Sequence, residues 1–187
     1  MIRECFDEQP ECMPHPLLEP QSLEQTMLRL YGPEGTGQVD PARVQTRSYA
    51  QLKAHLSGQE DDLGALLENA EWIVFAMLDP NPRYPTSDAL QLFLAHNAQQ
   101  IYDAQVVVLA YTAPYYLDAT EISKLSAYYV FYSKVQPFVE MSIRTLFGEV
   151  RPQGKSPVSI EGTYYDLGVQ LAPDPAQRFG WAADALR

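Results

Sequence analysis

Two continuous apolar runs, residues 72–78 and 106–111, dominate the hydrophobic pattern of the chain. Neither run alternates between apolar and polar residues, and this is typical of parallel strands that helices cover on both faces. An apolar, aromatic-rich run at residues 127–132 predicts a third strand, and shorter strands are predicted at residues 44–47 and 158–160. The pattern therefore predicts a sheet of buried strands.

Helical periodicity fills the segments around these runs. Apolar residues recur at intervals of three and four in segments that begin near residues 22, 48, 63, 87, 118 and 137. Some of these segments open on a capping box, in which Ser or Asp is followed three residues later by Gln or Glu: Ser22 with Gln25, Ser48 with Gln51, and Asp118 with Glu121. Glycines at the far ends predict helix termini: Gly32, Gly58 and Gly148.

Strands that alternate with helices at this spacing predict an α/β fold. We expect a three-layer α/β/α sandwich with a mostly parallel, doubly wound sheet, flavodoxin-like or Rossmann-like in its layout. The sandwich is predicted to cover residues 22–171 as one domain. Residues 1–21 are rich in proline and predict an irregular leader, and residues 172–187 predict a C-terminal tail.

The charge of the chain excludes one class of partner. The formal net charge is −11, the isoelectric point is near 4.6, and Lys and Arg are not clustered. Binding to nucleic acid is therefore not expected, because such binding depends on clustered basic side chains. The apolar runs are far shorter than the roughly 20 residues of a membrane span, and the first residues lack the pattern of a signal peptide. The compartment stays open.

No local motif for catalysis or for metal binding is present in the sequence. Cys5 and Cys12 are expected to be loop thiols, since two cysteines cannot form a structural zinc site alone. The glycines of residues 32–37 lack the Lys-Ser/Thr of a phosphate loop. The histidines are scattered: His15, His55 and His96. We therefore predict no catalytic residue, no metal and no cofactor.

The candidate ligand site lies in the loops that follow the two longest predicted strands. Ligands of open parallel sheets bind outside the carboxyl ends of the strands. The tyrosines of these loops can stack on a sugar, and the other polar side chains can bind its hydroxyl groups. The candidate residues are Asp79, Asn81, Arg83, Tyr84, Tyr115, Tyr116 and Asp118. Two purely structural roles fit as well: Asp118 also suits a helix cap, and tyrosines flanked by prolines also close loops that bind nothing.

Three segments carry a resemblance to a known family. Residues 146–160, Leu-Phe-Gly-Glu-Val-Arg-Pro-Gln-Gly-Lys-Ser-Pro-Val-Ser-Ile, resemble the signature near the end of family 3 glycoside hydrolases. Residues 113–129 and 23–33 resemble the C-terminal domain of the bacterial β-N-acetylhexosaminidase branch of that family. The three segments occur in the family's order and span nearly the whole chain.

The resemblance implies an accessory role. Enzymes of this family carry their catalytic machinery mainly on an N-terminal (β/α)₈ barrel, which needs about 250 residues. The 187 residues here cannot hold one beside the sandwich. No motif assigns an acid/base role to Glu121, Glu140 or Glu149. We therefore expect a non-catalytic domain, inactive alone, that packs on a barrel hydrolysing N-acetylhexosaminides. Members of the family are often exported.

The start of the chain departs from the family pattern. Domains of this kind normally open with a strand, and residues 1–21 are too rich in proline to form it. The sheet is therefore expected to lack its first strand and to leave an edge that a partner, another copy or a rearranged segment of the chain fills. Two alternative functions stay open: a stand-alone module that binds a sugar or a protein through its strand-end loops, and a hydrolase that acts alone.

Overall fold

Three parallel strands form the centre of the structure, and helices cover them. The computed structural model describes residues 18–82, 84–96 and 102–154. The strands are β1 (Trp72–Met77), β2 (Gln105–Ala110) and β3 (Ala127–Val130). The helices are α1 (Gln21–Tyr31), α2 (Tyr49–Leu56), α3 (Leu63–Asn69), α4 (Ala89–His96), α5 (Ala119–Ile122) and α6 (Gln136–Leu146).

The strands lie in the order β1-β2-β3 and all point the same way. Trp72 pairs with Gln105 at the start of the sheet, and Val107 pairs with Ala127. The central strand β2 is buried along its whole length after Gln105, as its continuous apolar pattern predicts. Within the part of the chain that the structure describes, β1 has a strand on one side only.

Alternate residues of each strand point to opposite faces of the sheet. Phe75, Val106 and Val108 pack with α2, α3, α4 and α5 on one face, whereas Val107 and Leu109 pack with α1 and α6 on the other. Helices therefore form a layer on each side of the sheet. The predicted α/β sandwich with a parallel sheet is confirmed.

The segment before α2 corrects one prediction. The structure has no strand at residues 44–47, because this segment runs from the short 3-10 helix Pro41–Arg43 directly to the cap of α2 and pairs with none of the described strands. The predicted capping box of α2 is confirmed: Ser48 Oγ accepts a hydrogen bond from the Gln51 amide, and the Gln51 side chain accepts one from the Ser48 amide.

The start of α1 corrects a second prediction, the one for its helix cap. The sequence predicts that Ser22 caps this helix together with Gln25, but Pro20 occupies the cap position and Ser22 lies in the first turn. The Ser22 amide donates to the Glu19 carbonyl, and the Ser22 carbonyl accepts from Thr26 Oγ1 at 2.7 Å. Proline replaces the capping side chain because its fixed φ suits a helix start and it has no amide to satisfy.

Several predictions fall wholly or partly outside the described residues. These are most of the leader at residues 1–21, the strand at 158–160, the tail at 172–187 and the end of the helix predicted from residue 87. The helix predicted from residue 87 is described as α4, Ala89–His96. Among the described helices, none combines the length and the apolar character that crossing a bilayer requires.

Candidate functional site

The loops that follow the strands meet at one edge of the sheet, because all three strands are parallel. We call this surface the carboxyl edge and define it as residues 78–82, 84–87, 111–118 and 131–135. Six of the seven predicted site residues lie on it: Asp79, Asn81, Tyr84, Tyr115, Tyr116 and Asp118. Arg83 lies outside the described residues. The carboxyl edge is therefore the place to test the predicted ligand site.

The loop after β1 is folded by its own hydrogen bonds. The Asn81 carbonyl accepts from the Tyr84 amide at 2.8 Å and from Ser87 Oγ at 2.9 Å. The Lys53 ammonium group of α2 donates to the Pro85 carbonyl and lies 2.6 Å from the Asp88 carboxylate. These contacts fix the loop against the helix layer, and they leave the Tyr84 ring about half exposed.

The loop after β2 presents two neighbouring tyrosines. Pro114–Tyr116 forms a 3-10 helix, and the rings of Tyr115 and Tyr116 lie 5.1 Å apart between centroids with a tilt of 52°. The Tyr115 ring is half exposed. Tyr116 lies close to Asp79 of the first loop: burial, and then the negative charge of Asp79, raise the pKa of the Tyr116 phenol. The structure thus brings together residues from two loops.

Asp118 is part of a helix cap. Its carboxylate accepts a hydrogen bond from the Glu121 amide at 2.8 Å, and the Glu121 carboxylate accepts one from the Asp118 amide at 2.7 Å. This reciprocal pair is the predicted capping box and it starts α5. One carboxylate oxygen of Asp118 is thereby used, so the cap accounts for this aspartate without a ligand.

The strand β3 and the segment after it add two tyrosines that the predicted site does not include. The Tyr128 hydroxyl donates to the Pro114 carbonyl at 3.0 Å and joins β3 to the loop after β2. Tyr132 is half exposed and has φ +59°, a left-handed conformation that costs energy for a bulky residue. Burial is the largest cause that raises the pKa of the Tyr128 phenol, and electrostatic interactions with Tyr132 and Glu121 raise this pKa further.

The sequence does carry a signal for one of these two tyrosines. Ligands bind beyond the carboxyl ends of parallel strands, and this rule holds for the run at residues 127–132 as well as for the two longer runs. When the same rule is applied to the third run, it selects Tyr132 as a candidate site residue. The positive φ of this residue has no signature in the sequence, since a left-handed conformation is uncommon outside glycine, asparagine and aspartate.

Thr112 places a hydroxyl group at the base of the same surface. Its Oγ1 atom is buried, and it has no hydrogen-bond partner among the described residues. A buried hydroxyl without a partner loses the hydrogen bonds that water would supply, so it favours a polar group that can reach it. With the exposed rings of Tyr84 and Tyr115, the carboxyl edge combines aromatic faces and polar atoms, which is the chemistry that binds sugars.

A concave region lies between α2 and α3. This depression has a volume of about 340 Å³. Arg47 pairs with Asp62 at 2.6 Å, and His55 Nδ1 lies 2.8 Å from Asp61, whose carboxylate also accepts from the Leu63 amide. The lining residues are Arg47, Ala50, Gln51, Ala54, Gln59, Asp61, Asp62 and Leu63. Because its charged groups pair with one another, this depression is better explained as the junction of two helices than as a ligand site.

The described residues contain no group of three or more His, Cys, Asp or Glu side chains arranged to hold a metal ion. His55 is partly buried against Asp61, whereas His96 is exposed at the end of α4. Compared with protein-family models, curated proteins and solved structures, the chain matches none of them. The site is therefore interpreted from its own residues.

Proposed function

We propose that this chain is a non-catalytic α/β sandwich domain of the kind found at the C-terminus of family 3 β-N-acetylhexosaminidases. In this role it packs on a catalytic barrel that hydrolyses N-acetylhexosaminides and helps to shape the rim of the barrel's active site. The carboxyl edge, with its tyrosines, is the surface that faces the sugar.

The end of α6 carries the proposal. The resemblance includes the Leu-Phe-Gly-Glu segment, where it implies a helix that stops at glycine. In the structure α6 ends at Leu146, Gly148 has φ +71°, and its amide donates to the Thr145 carbonyl while the Glu149 amide donates to that of Arg144. This pair of bonds is a Schellman motif, which needs glycine at the left-handed position. The local structure therefore agrees with the resemblance.

The second segment of the resemblance, residues 113–129, gives further support. It folds as the 3-10 turn with Tyr115 and Tyr116, then α5 with its capping box, and then the start of β3. This segment therefore supplies the most aromatic part of the carboxyl edge.

The glutamates considered for acid/base chemistry are already engaged. Glu121 completes the cap of α5. Glu140 lies between Arg29 and Arg144, whose hydrogen bonds hold the pKa of its carboxyl below the usual value, with Arg144 as the larger cause. Glu149 pairs with Arg144 at 2.6 Å. A carboxylate held ionised by two arginines is a poor proton donor, which supports a non-catalytic role.

The proposal is tested by an assay with a chromogenic N-acetylglucosaminide. Three samples are compared: the chain alone, a family 3 β-N-acetylhexosaminidase barrel that lacks its own C-terminal domain, and the mixture of the two. We expect no turnover by the chain alone and a higher kcat/KM for the mixture than for the barrel. Turnover by the chain alone that is abolished by changing one carboxylate contradicts the proposal, and so does a mixture that neither associates nor gains activity.

The exposed tyrosines favour a second candidate function, a stand-alone module that binds a sugar or a peptide at the carboxyl edge. N-acetylglucosamine titrated into the labelled chain should then shift NMR signals of Tyr84 and Tyr115 without any barrel present. Tyr102, which is 87% exposed, lies outside the carboxyl edge, and its signals serve as the control. Shifts spread equally over Tyr102 indicate non-specific contact and count against this function.

A further inference from the structure

The carboxyl edge carries an acidic side chain beside exposed aromatic rings. The Asp79 carboxylate is partly exposed and forms no hydrogen bond or ion pair with the described residues. Its loop starts next to the loop after β2, because the Tyr111 amide donates to the Met77 carbonyl at 2.9 Å. Asp79 lies close to Tyr116, and Tyr115 continues the aromatic surface with its half-exposed ring.

The phenol groups of the carboxyl edge report a negative electrostatic potential. After burial, which is the larger cause, the charge of Asp79 raises the pKa of the Tyr116 phenol. In β3, burial and then interactions with Tyr132 and Glu121 raise the pKa of the Tyr128 phenol. No basic side chain of the described residues opposes either shift. The part of each shift that comes from charge shows that a positive group is favoured at this edge.

The described basic side chains near the carboxyl edge do not neutralise Asp79. Lys53 is already held by the Pro85 carbonyl and by the Asp88 carboxylate. Lys134 forms no ion pair with the carboxylates that the structure describes. The whole chain has a net charge of −11, which attracts cations from solution as well. The carboxyl edge therefore has the electrostatic character of a cation site.

The exposed rings favour an organic cation over a metal ion. Tyr84, Tyr115 and Tyr132 are each 46–49% exposed. The face of an aromatic ring attracts an ammonium group, and groups of aromatic rings recognise alkylated ammonium ligands. A metal ion needs several oxygen or nitrogen ligands together, and the described part of the chain holds no such group of His, Cys, Asp or Glu.

We propose that the carboxyl edge binds an organic ammonium group, with the Asp79 carboxylate as its counter-ion and the rings of Tyr115 and Tyr116 as its aromatic wall. These rings are tilted by 52° with their centroids 5.1 Å apart, so they form a corner and not a flat stack. The inference goes beyond the proposed function, because it needs neither a barrel nor an N-acetyl group. Two kinds of molecule supply such a group: a quaternary amine and a protonated amino sugar.

The test is an NMR titration of the labelled chain with choline and with its uncharged isostere dimethylbutanol, in which carbon replaces nitrogen. The ionic strength is kept constant, so the two ligands differ only in their charge. We expect choline to shift the ring signals of Tyr115 and Tyr116 and to bind about tenfold more tightly than the alcohol. The signals of Tyr102, which is exposed outside the carboxyl edge, should not move.

Two variants test the residues of the site. Asp79→Asn removes the charge and keeps the shape, whereas Tyr115→Leu removes the ring and keeps an apolar side chain. Each should raise the Kd for choline about fivefold. The matched control is Glu68→Gln, which removes one charge from an exposed side chain of α3, close to the start of β1 and away from the carboxyl edge. It should leave the Kd unchanged, and circular dichroism shows that each variant is folded.

Three results overturn the inference: neither choline nor glucosamine binds, the alcohol binds as tightly as choline, or Asp79→Asn and Glu68→Gln change the Kd equally. Glucosamine and N-acetylglucosamine are titrated as well, at about pH 6, where an amine is protonated. Tighter binding of glucosamine than of choline identifies the ligand as an amino sugar, and the reverse order identifies a quaternary amine. If the two sugars bind equally, the edge recognises the sugar and not the charge, so this inference fails and the proposed function stands.

Discussion

The Tyr128 hydroxyl donates a 3.0 Å hydrogen bond to the carbonyl oxygen of Pro114, and so ties β3 to the loop that follows β2. Pro114 is a buried residue, and its carbonyl loses the Tyr128 donor in the variant Tyr128→Phe. We expect this variant to lower the free energy of unfolding by about 1 kcal/mol, because a partly buried carbonyl loses the hydrogen bond from the Tyr128 hydroxyl. Urea denaturation measures the change.

The matched control for this variant is Tyr115→Phe, which removes a hydroxyl from a half-exposed ring of the same loop. It should change the free energy of unfolding by less than about 0.5 kcal/mol. Equal losses in the two variants show that the hydrogen bond to Pro114 does not stabilise the loop.

Tyr132 combines an exposed ring with a left-handed backbone, φ +59°. Asparagine tolerates this conformation better, so Tyr132→Asn relieves strain of about 1–2 kcal/mol and loses a similar amount from the half-buried ring. We therefore expect a nearly unchanged midpoint of thermal unfolding. If the ring stacks on sugar, the same variant weakens binding of N-acetylglucosamine, measured by NMR titration.

The control is Tyr102→Asn, whose ring is more exposed and lies outside the carboxyl edge. It should leave sugar binding unchanged. A large drop in the midpoint for Tyr132→Asn means that this ring is part of the core, and the strain then has a structural explanation.

Gly148 is the left-handed residue of the Schellman motif that ends α6. Alanine at φ +71° places its Cβ against the backbone, so Gly148→Ala should lower the free energy of unfolding by about 1–2 kcal/mol. Gly154 provides the control, because a Cβ there meets nothing within 4 Å. If Gly148→Ala and Gly154→Ala are equally stable, the helix end does not depend on glycine.

The strands and most helix starts could be predicted because their signals are local. A parallel strand buried on both faces is apolar along its length, and β2 is the clearest case. A capping box uses two side chains three residues apart, so the sequence identifies Ser48 and Asp118 as caps. Residues 44–47 have an equally local strand pattern, but a strand also needs a neighbour, and the sequence does not show whether one exists.

The candidate site could be predicted only in part, because a site depends on contacts between loops. The position rule selects the loops of Tyr84 and Tyr115 correctly as parts of one edge. It could not show that Asp79 lies close to Tyr116. This proximity depends on how the loops after β1 and β2 pack, and no interval along the chain encodes that packing.

Tyr111 and Ser142 form a buried hydrogen bond of 2.6 Å beneath α6. Because Ser142 Oγ donates to the Val139 carbonyl, Tyr111 is the donor of this bond. Burial raises the pKa of the Tyr111 phenol to about 12. An unfolded tyrosine has a pKa near 10, so the folded state holds this proton more tightly.

This shift predicts how stability changes with pH. Below pH 10 both states keep the proton, and the stabilisation is fully present; as pH rises through about 12 it is lost, because the unfolded state releases its proton first and is thereby favoured. The free energy of unfolding is measured in urea at pH 9, 10 and 11. At pH 9 we expect Tyr111→Phe to be about 1 kcal/mol less stable than the wild type. Between pH 9 and 11 its stability should fall less steeply than that of the wild type, with a difference in slope of up to about 1.4 kcal/mol per pH unit. The control is Tyr102→Phe, which should keep the wild-type slope. Equal slopes for all three proteins mean that Tyr111 is not protected from ionisation in the folded state.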